Sequence, residues 1–233
     1  MSPASDDFDG WAGGYEAALA PGLRLSGEDR DYFARGRVAW LVRELQRRGF
    51  HTGVRRVLDY GCGDGRTAME LRDAFPCREV LAVDSSSEML RAARGSADGA
   101  GIRFERLEAL DLAESDLDLA YVSNVFHHIE PARRPAALRR IFRALRPGGL
   151  LAFFENNPWN PGARAVMARV PFDRDAVPLS VLASRRLIAG SGFEVLSIRS
   201  LFYFPRFLSA LRPLERLLEP LPLGAQCVVL ARK

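Results

Sequence analysis

Between Val54 and Ala152 short apolar runs alternate with segments of helical period. Strands are predicted at Arg56 to Tyr60, Val80 to Asp84, Arg103 to Leu107, Leu117 to Ser123 and Leu150 to Glu155. Helices are predicted between them at Thr67 to Phe75, Ser87 to Gly95 and Pro135 to Leu145. Such alternation specifies an α/β fold with a doubly wound, mostly parallel sheet. Pro147, Gly148 and Gly149 predict a sharp break between the last of these helices and its strand.

Ahead of this region, Phe8, Trp11, Tyr15 and Leu19 form a helical stripe that should bury Trp11. A second helix is predicted from Asp31 to Arg48, apolar at Phe33, Val38, Leu41, Val42 and Leu45 and stopped by Gly49. Beyond Asn157 the pattern is broken by Pro158, Pro161, Pro171 and Pro178. A helix near Ser180 to Ala189 and strands at Phe193 to Ser200 and Gln226 to Ala231 follow, with residues 201–225, rich in Phe, Leu and Pro, as a cover between the strands. The expectation is one domain over 1–233, with a helical cap or lid at 1–50, a ligand-binding core at 51–157 and a second-ligand side at 158–233.

Composition narrows the class without naming a ligand. Of 233 residues, 48% are hydrophobic and 27% charged, the balance of an ordinary globular chain with one core. The polar, acidic opening MSPASDDFDG lacks the form of a secretion signal, and no apolar run is long enough to span a membrane. Cys62, Cys77 and Cys227 are odd in number and widely spaced, which fits neither a disulfide framework nor a zinc site and suits a reducing cytoplasm. A net charge of +4, from 33 basic and 29 acidic residues, is too small a surplus for a nucleic-acid footprint. The arginines at 133, 134, 139, 140, 143 and 146 read as a solvated helix face opposite Leu138, Ile141, Phe142 and Leu145.

The most informative stretch is VLDYGCGDG, Val57 to Gly65, in which a strand runs through Gly61, Gly63 and Gly65 into a helix. These glycines suit a tight turn lying close to a ligand. A dinucleotide fold places its third glycine at what is Arg66 here, and no Gly-Lys-Ser or Gly-Lys-Thr triplet occurs for a nucleotide-hydrolase turn. Asp84 closes the strand VLAVD, nineteen residues after Gly65, where a carboxylate can accept both ribose hydroxyls. An acid there can also be a plain helix cap, and its spacing does not separate NAD from other adenosine ligands. The turn makes that distinction.

Together with VLAVDSSSEML, FERLEAL, DLDLAYVSNVFHHI and LRPGGLLAFFE, this turn resembles the class I S-adenosylmethionine-dependent methyltransferases over about Arg56 to Glu155. The resemblance implies a seven-stranded Rossmann-like sheet with an antiparallel last strand, S-adenosyl-L-methionine as methyl donor, and methyl transfer. It implies Gly61, Gly63 and Gly65 under the methionine and ribose, Asp59 toward the donor's amino group, Asp84 on the ribose, and Glu108 and Ala109 near adenine. Ser85 stands where similar proteins put an apolar residue, so Met89 would supply part of that contact. Asn124 matches a backbone position near the donor's amino end, and Tyr15 and Arg37 are candidates for its carboxylate.

His127 and His128 follow the fourth strand, where an acceptor would sit, and an imidazole titrates near neutrality. One of them is the candidate base for a hydroxyl acceptor; the family pattern gives His128 a structural role and leaves His127 less constrained. Glu155, Asn156 and Asn157 could ligate a cation, but Ser123 and Asn124 bring no carboxylate, so no metal is expected. Trp159, Asn160, Phe172, Asp173 and the run Leu201 to Phe207 suggest a small apolar or ring-bearing acceptor, with a satellite core as the plain alternative. The expectation is methylation of a hydroxyl oxygen on a natural product, sugar or phenol-like compound, without a nucleic-acid partner. Open alternatives are N- or C-methylation of a lipid-linked or quinone-like acceptor, an NAD(P)-binding oxidoreductase and a noncatalytic donor-binding homologue. Leu208, Leu211, Leu218, Arg212 and Arg216 leave peripheral membrane contact as a further possibility.

Overall fold

The computed structural model describes residues 8–96, 101–109 and 116–233; Leu110, the end of the FERLEAL motif, lies outside them. Seven strands, β1 (Arg56–Tyr60), β2 (Glu79–Asp84), β3 (Ile102–Arg106), β4 (Leu117–Ser123), β5 (Leu145–Asn156), β6 (Glu194–Leu201) and β7 (Gln226–Arg232), build one sheet in the order β3-β2-β1-β4-β5-β7-β6. Strands β1 to β5 pair in parallel, and β7 runs antiparallel to both β5 and β6. The order reverses between β1 and β4, opening a crevice beyond their carboxyl ends.

Helices cover both faces, so the central strands are apolar on both sides. Val57, Tyr121 and Phe154 pack into one core with Val38, Leu41 and Leu45 of α2 (Arg30–Arg47), Leu71 of α3 (Arg66–Ala74) and Leu90 of α4 (Ser87–Ser96). The alternate residues Leu58, Val122 and Phe153 join the opposite core with Leu138 and Ile141 of α5 (Arg134–Ala144) and Ile188 of α7 (Val181–Gly190). The predicted strands and helices of the core are present to within a few residues, and Gly49, at φ +73°, ends the second helix region as expected. Among the described residues no helix is long and apolar enough to cross a membrane.

Four expectations need correction. Strand β5 starts at Leu145, because Leu145 already pairs with Leu117 and the Pro147-Gly148-Gly149 turn is absorbed as an irregularity within the ladder. The N-terminal stripe is split into a 3-10 turn, Asp9–Gly14, and helix α1 (Tyr15–Leu23), and Trp11 is only half-buried. The arginine cluster is not simply a solvated face: Arg134 is buried and donates to the carbonyls of Ile129 and Val177, Arg140 donates to Leu107 O, and Arg146 pairs with Asp118. Finally, the proline-rich stretch after Asn157 contains α6 (Pro161–Met167), whose proline sits in the first turn and whose N-cap, Asn160, accepts from Ala163 N.

Candidate active site

The crevice encloses a cavity of about 480 Å³, walled by the ends of β1, β2, β4 and β5, the start of β7, the N-terminal helices and residues 202–205. Its floor is the glycine turn. The amides of Gly61 and Cys62 donate to Val83 O, stitching the turn to β2, and Gly63 N donates to Asp84 Oδ2 at 2.8 Å. All three glycines have positive φ, and a Cβ at Gly61 would stand 2.3 Å from Val125 Cγ2. At Gly63 the nearest atom to a Cβ is Met89 Cε at 3.4 Å, so this position owes its glycine to backbone conformation and leaves open space toward the cavity.

Two carboxylates face this floor. Asp84 accepts Gly63 N on one oxygen and Ser86 N on the other, and burial raises its pKa above the ordinary value. Asp59 is buried, its Oδ2 has no hydrogen-bond partner, and burial together with nearby Asp84 pushes its pKa up to about 7. The hydroxyl of Ser123, also on the cavity wall, is similarly unpartnered. An unpaired buried carboxylate oxygen is costly unless a ligand completes it. Arg37 supplies positive charge from the far wall, braced by Tyr121 Oη at 3.0 Å and Gln226 Oε1 at 3.2 Å. Asn124 lies beside it with φ +56°, its side chain accepting from Gln226.

Sequence reasoning missed how the cap is fastened. Arg30 of α2 grips Asp64 of the turn through two bonds of 2.7 and 3.0 Å, and its guanidinium lies 4.7 Å from the Tyr15 ring centroid. Arg66, which broke the dinucleotide glycine pattern, reaches back to Asp31 and Glu16. Tyr15 also stacks on Phe172, with ring centroids 5.1 Å apart. It therefore lines the cavity against an aromatic wall that Phe8 and Trp11 also touch. Ser85 and Met89 line the cavity, whereas Glu108 and Ala109 turn outward and Leu107 takes the wall position. Glu108 instead faces Arg106 at 3.5 Å.

The two histidines sit in different surroundings. His127 is held: Nδ1 lies 2.5 Å from Glu155 Oε2, while the other Glu155 oxygen accepts Phe126 N at 2.8 Å and His127 Nε2 faces Asp173 at 3.6 Å. Burial works against its imidazolium, but Glu155 and Asp173 outweigh that and raise its pKa to about 9. His128 is partly open, with Nε2 3.4 Å from Asp173, and burial aided by the His127 charge lowers its pKa despite Asp173. At neutral pH His127 is thus a fixed cation and His128 a free base. Both line the cavity.

The oxygens considered for a cation are spent on the protein. Glu155 is occupied as described, Asn156 accepts from Gln226, and Asn157 binds the 222–224 backbone through its amide and caps Trp159 N. His127, His128 and Asp173 offer ligand atoms within 4.8 Å of one another, but Glu155 and Asp173 favour a proton on His127 that a cation would have to displace.

Residues 57–149 match a family described as a methyltransferase domain. Over this region the chain is similar to S-adenosylmethionine-dependent methyltransferases. It is 42% identical over 101 residues to a malonyl-[acyl-carrier protein] O-methyltransferase of Methylococcus capsulatus, covering 42% of this chain and 36% of that protein. It is 34% identical over 122 residues to a demethylmenaquinone methyltransferase of Thermus thermophilus, covering 52% and 56% respectively. The chain thus spans about a third to a half of the curated relatives it matches. A Thermotoga maritima structure described as a S-adenosylmethionine-dependent methyltransferase, possibly acting on histamine, shares the fold over 97% of this chain and 98% of its own, with TM-score 0.66 and 22% identity. The donor of this family is S-adenosylmethionine.

Proposed function

We propose that this chain transfers the methyl group of S-adenosylmethionine to a hydroxyl oxygen of a small, largely apolar acceptor. The observation that carries the donor reading is Asp59: a buried carboxylate oxygen without a partner, beside an open glycine cradle, fits an ammonium group. Arg37 fits the donor's carboxylate, and Asp84, its oxygens already aligned by two amides, retains lone pairs for a ribose. Arg66 argues against a pyrophosphate ligand, because its side chain fastens the cap where a dinucleotide fold needs bare backbone.

When bound, the sulfonium supplies an already activated methyl group, so no covalent enzyme intermediate is required. The protein's task is to hold the acceptor in line, worth about 7 to 11 kcal/mol in favourable cases, and to take its proton. His128 is the base, because it is neutral and open to the cavity. Asp173 orients it and balances the imidazolium that forms, while His127, held between Glu155 and Asp173, keeps Asp173 in place. Phe8, Phe172, Val166 and Val170 give the acceptor side an apolar lining. Two experiments test the reading. Calorimetry should show binding of S-adenosylmethionine and not of NADPH. A panel of phenols, sugars, quinones and natural-product scaffolds, followed by mass spectrometry of the demethylated donor, should yield an O-methylated product. Absence of donor binding would sink the reading.

A further inference from the structure

Residues 206–223 leave an unusually large amount of apolar surface uncovered. Phe207 is 80% exposed and Leu217 77%, and Leu208, Leu211, Leu214, Leu221 and Leu223 are exposed beside them. Scattered exposed leucines are ordinary, but a run of this density on one segment marks a contact surface. The segment is nevertheless firmly seated. Glu215 accepts from Tyr203 N and Phe204 N, Glu219 is held by Trp40 and Arg43, and Arg212 pairs with Glu28 while lying over the Tyr32 ring.

These anchors sort the charges. Both acids of the segment turn inward to protein partners, whereas Arg206 and Arg216 are exposed and have no carboxylate partner among the described residues. The outward face therefore combines Phe and Leu with unpaired guanidinium groups. Two neighbours extend it to the cavity. Arg206 N donates to Ser26 O at 2.8 Å, which brings Leu25, exposed and itself on the cavity wall, against the segment. Asn160 Nδ2 donates to Leu223 O at 2.7 Å, which adds the neighbouring, half-exposed Trp159. Apolar side chains ringed by unpaired cations and an amphipathic Trp complement an anionic lipid surface, where guanidinium groups meet phosphates and apolar groups meet acyl chains.

We infer that the face formed by residues 206–223, with Leu25 and Trp159, docks on an anionic lipid bilayer and sets the cavity mouth at that surface. The acceptor is then an amphiphile whose polar head reaches His128 while its apolar part remains at the membrane. The docking stands on the surface alone; the acceptor class rests on the proposed methyl transfer.

Co-sedimentation with vesicles tests the docking. The full chain should pellet with vesicles containing equal parts phosphatidylcholine and phosphatidylglycerol, and far less with phosphatidylcholine alone. The double variant Phe207→Ser/Leu217→Ser should pellet at least about tenfold less, and Arg206→Glu/Arg216→Glu should lose the preference for the anionic lipid. None of these four side chains lines the cavity, so donor binding by calorimetry should be unchanged in both variants. Wild-type protein that stays in the supernatant with every vesicle overturns the inference. So does a dimer in sedimentation equilibrium that Phe207→Ser/Leu217→Ser converts to monomer, since a second copy would then cover the face. Failure of donor binding, by contrast, removes the methyl-transfer reading and leaves the vesicle result standing.

Discussion

His127 Nδ1 lies 2.5 Å from Glu155 Oε2, and both side chains are almost completely sealed from water. With Asp173 on its other side, the imidazole keeps its proton to about pH 9. A raised pKa means that the bound proton stabilises the fold fully below the ordinary value of 6.5 and that this contribution is lost as pH rises through about 9. Activity that depends on the cation should decline over the same alkaline limb. In Glu155→Gln that limb should move toward neutrality by about one unit or more, because the principal opposite charge is gone. A pH profile of kcat/KM in the two proteins decides this, and an unmoved limb would contradict it.

His128 titrates below the usual imidazole range, since burial and the neighbouring cation both favour its neutral form. The acid limb of the same profile should therefore lie under pH 6.5. Replacing His128 by Ala should lower kcat by about 10²- to 10⁴-fold while donor affinity stays within about twofold. A more acidic phenol, needing less help to lose its proton, should recover part of the rate. Turnover within twofold of wild type would remove His128 as the base.

Asp59 is expected to separate stability from binding. Its folded pKa, about 7, is raised above the ordinary 3.8, so stability falls as pH rises between those values, where the unfolded chain releases a proton that the dry folded site retains. Asp59→Asn should therefore be as stable as wild type or more so at pH 8, yet bind S-adenosylmethionine about tenfold or more weakly, having lost a charge-assisted bond. Thermal melts with calorimetry measure both quantities. An unchanged dissociation constant would show that the ammonium reading of Asp59 is wrong.

Gly61→Ala meets two separate penalties: φ is +78°, and the new methyl would stand 2.3 Å from Val125 Cγ2. A loss of about 2 to 4 kcal/mol is expected in denaturant unfolding. Adding Val125→Ala should restore the part due to overlap but not the part due to backbone conformation. Full restoration would mean that the turn tolerates a side chain in the left-handed region.

The parallel core was legible because strands buried on both faces must be apolar throughout, and helices covering one face must repeat their apolar positions every three or four residues. Gly49 after the end of α2 is a local signal of the same kind. The region after Asn157 resisted reading, since α6 and the 206–218 turns are short and are held by distant partners such as Glu28, Trp40 and Ser26.

The sequence by itself determined the sheet, the glycine turn and the acid that ends β2, because each follows from residues close together in the chain. Only the tertiary structure decided which histidine is free. The charges that fix His127 come from Glu155 and Asp173, 28 and 46 positions away, and a proton's affinity depends on what surrounds it in space. The same holds for the exposed apolar face: residues 206–223 read as a cover in one dimension, and folding alone showed which side chains it leaves bare.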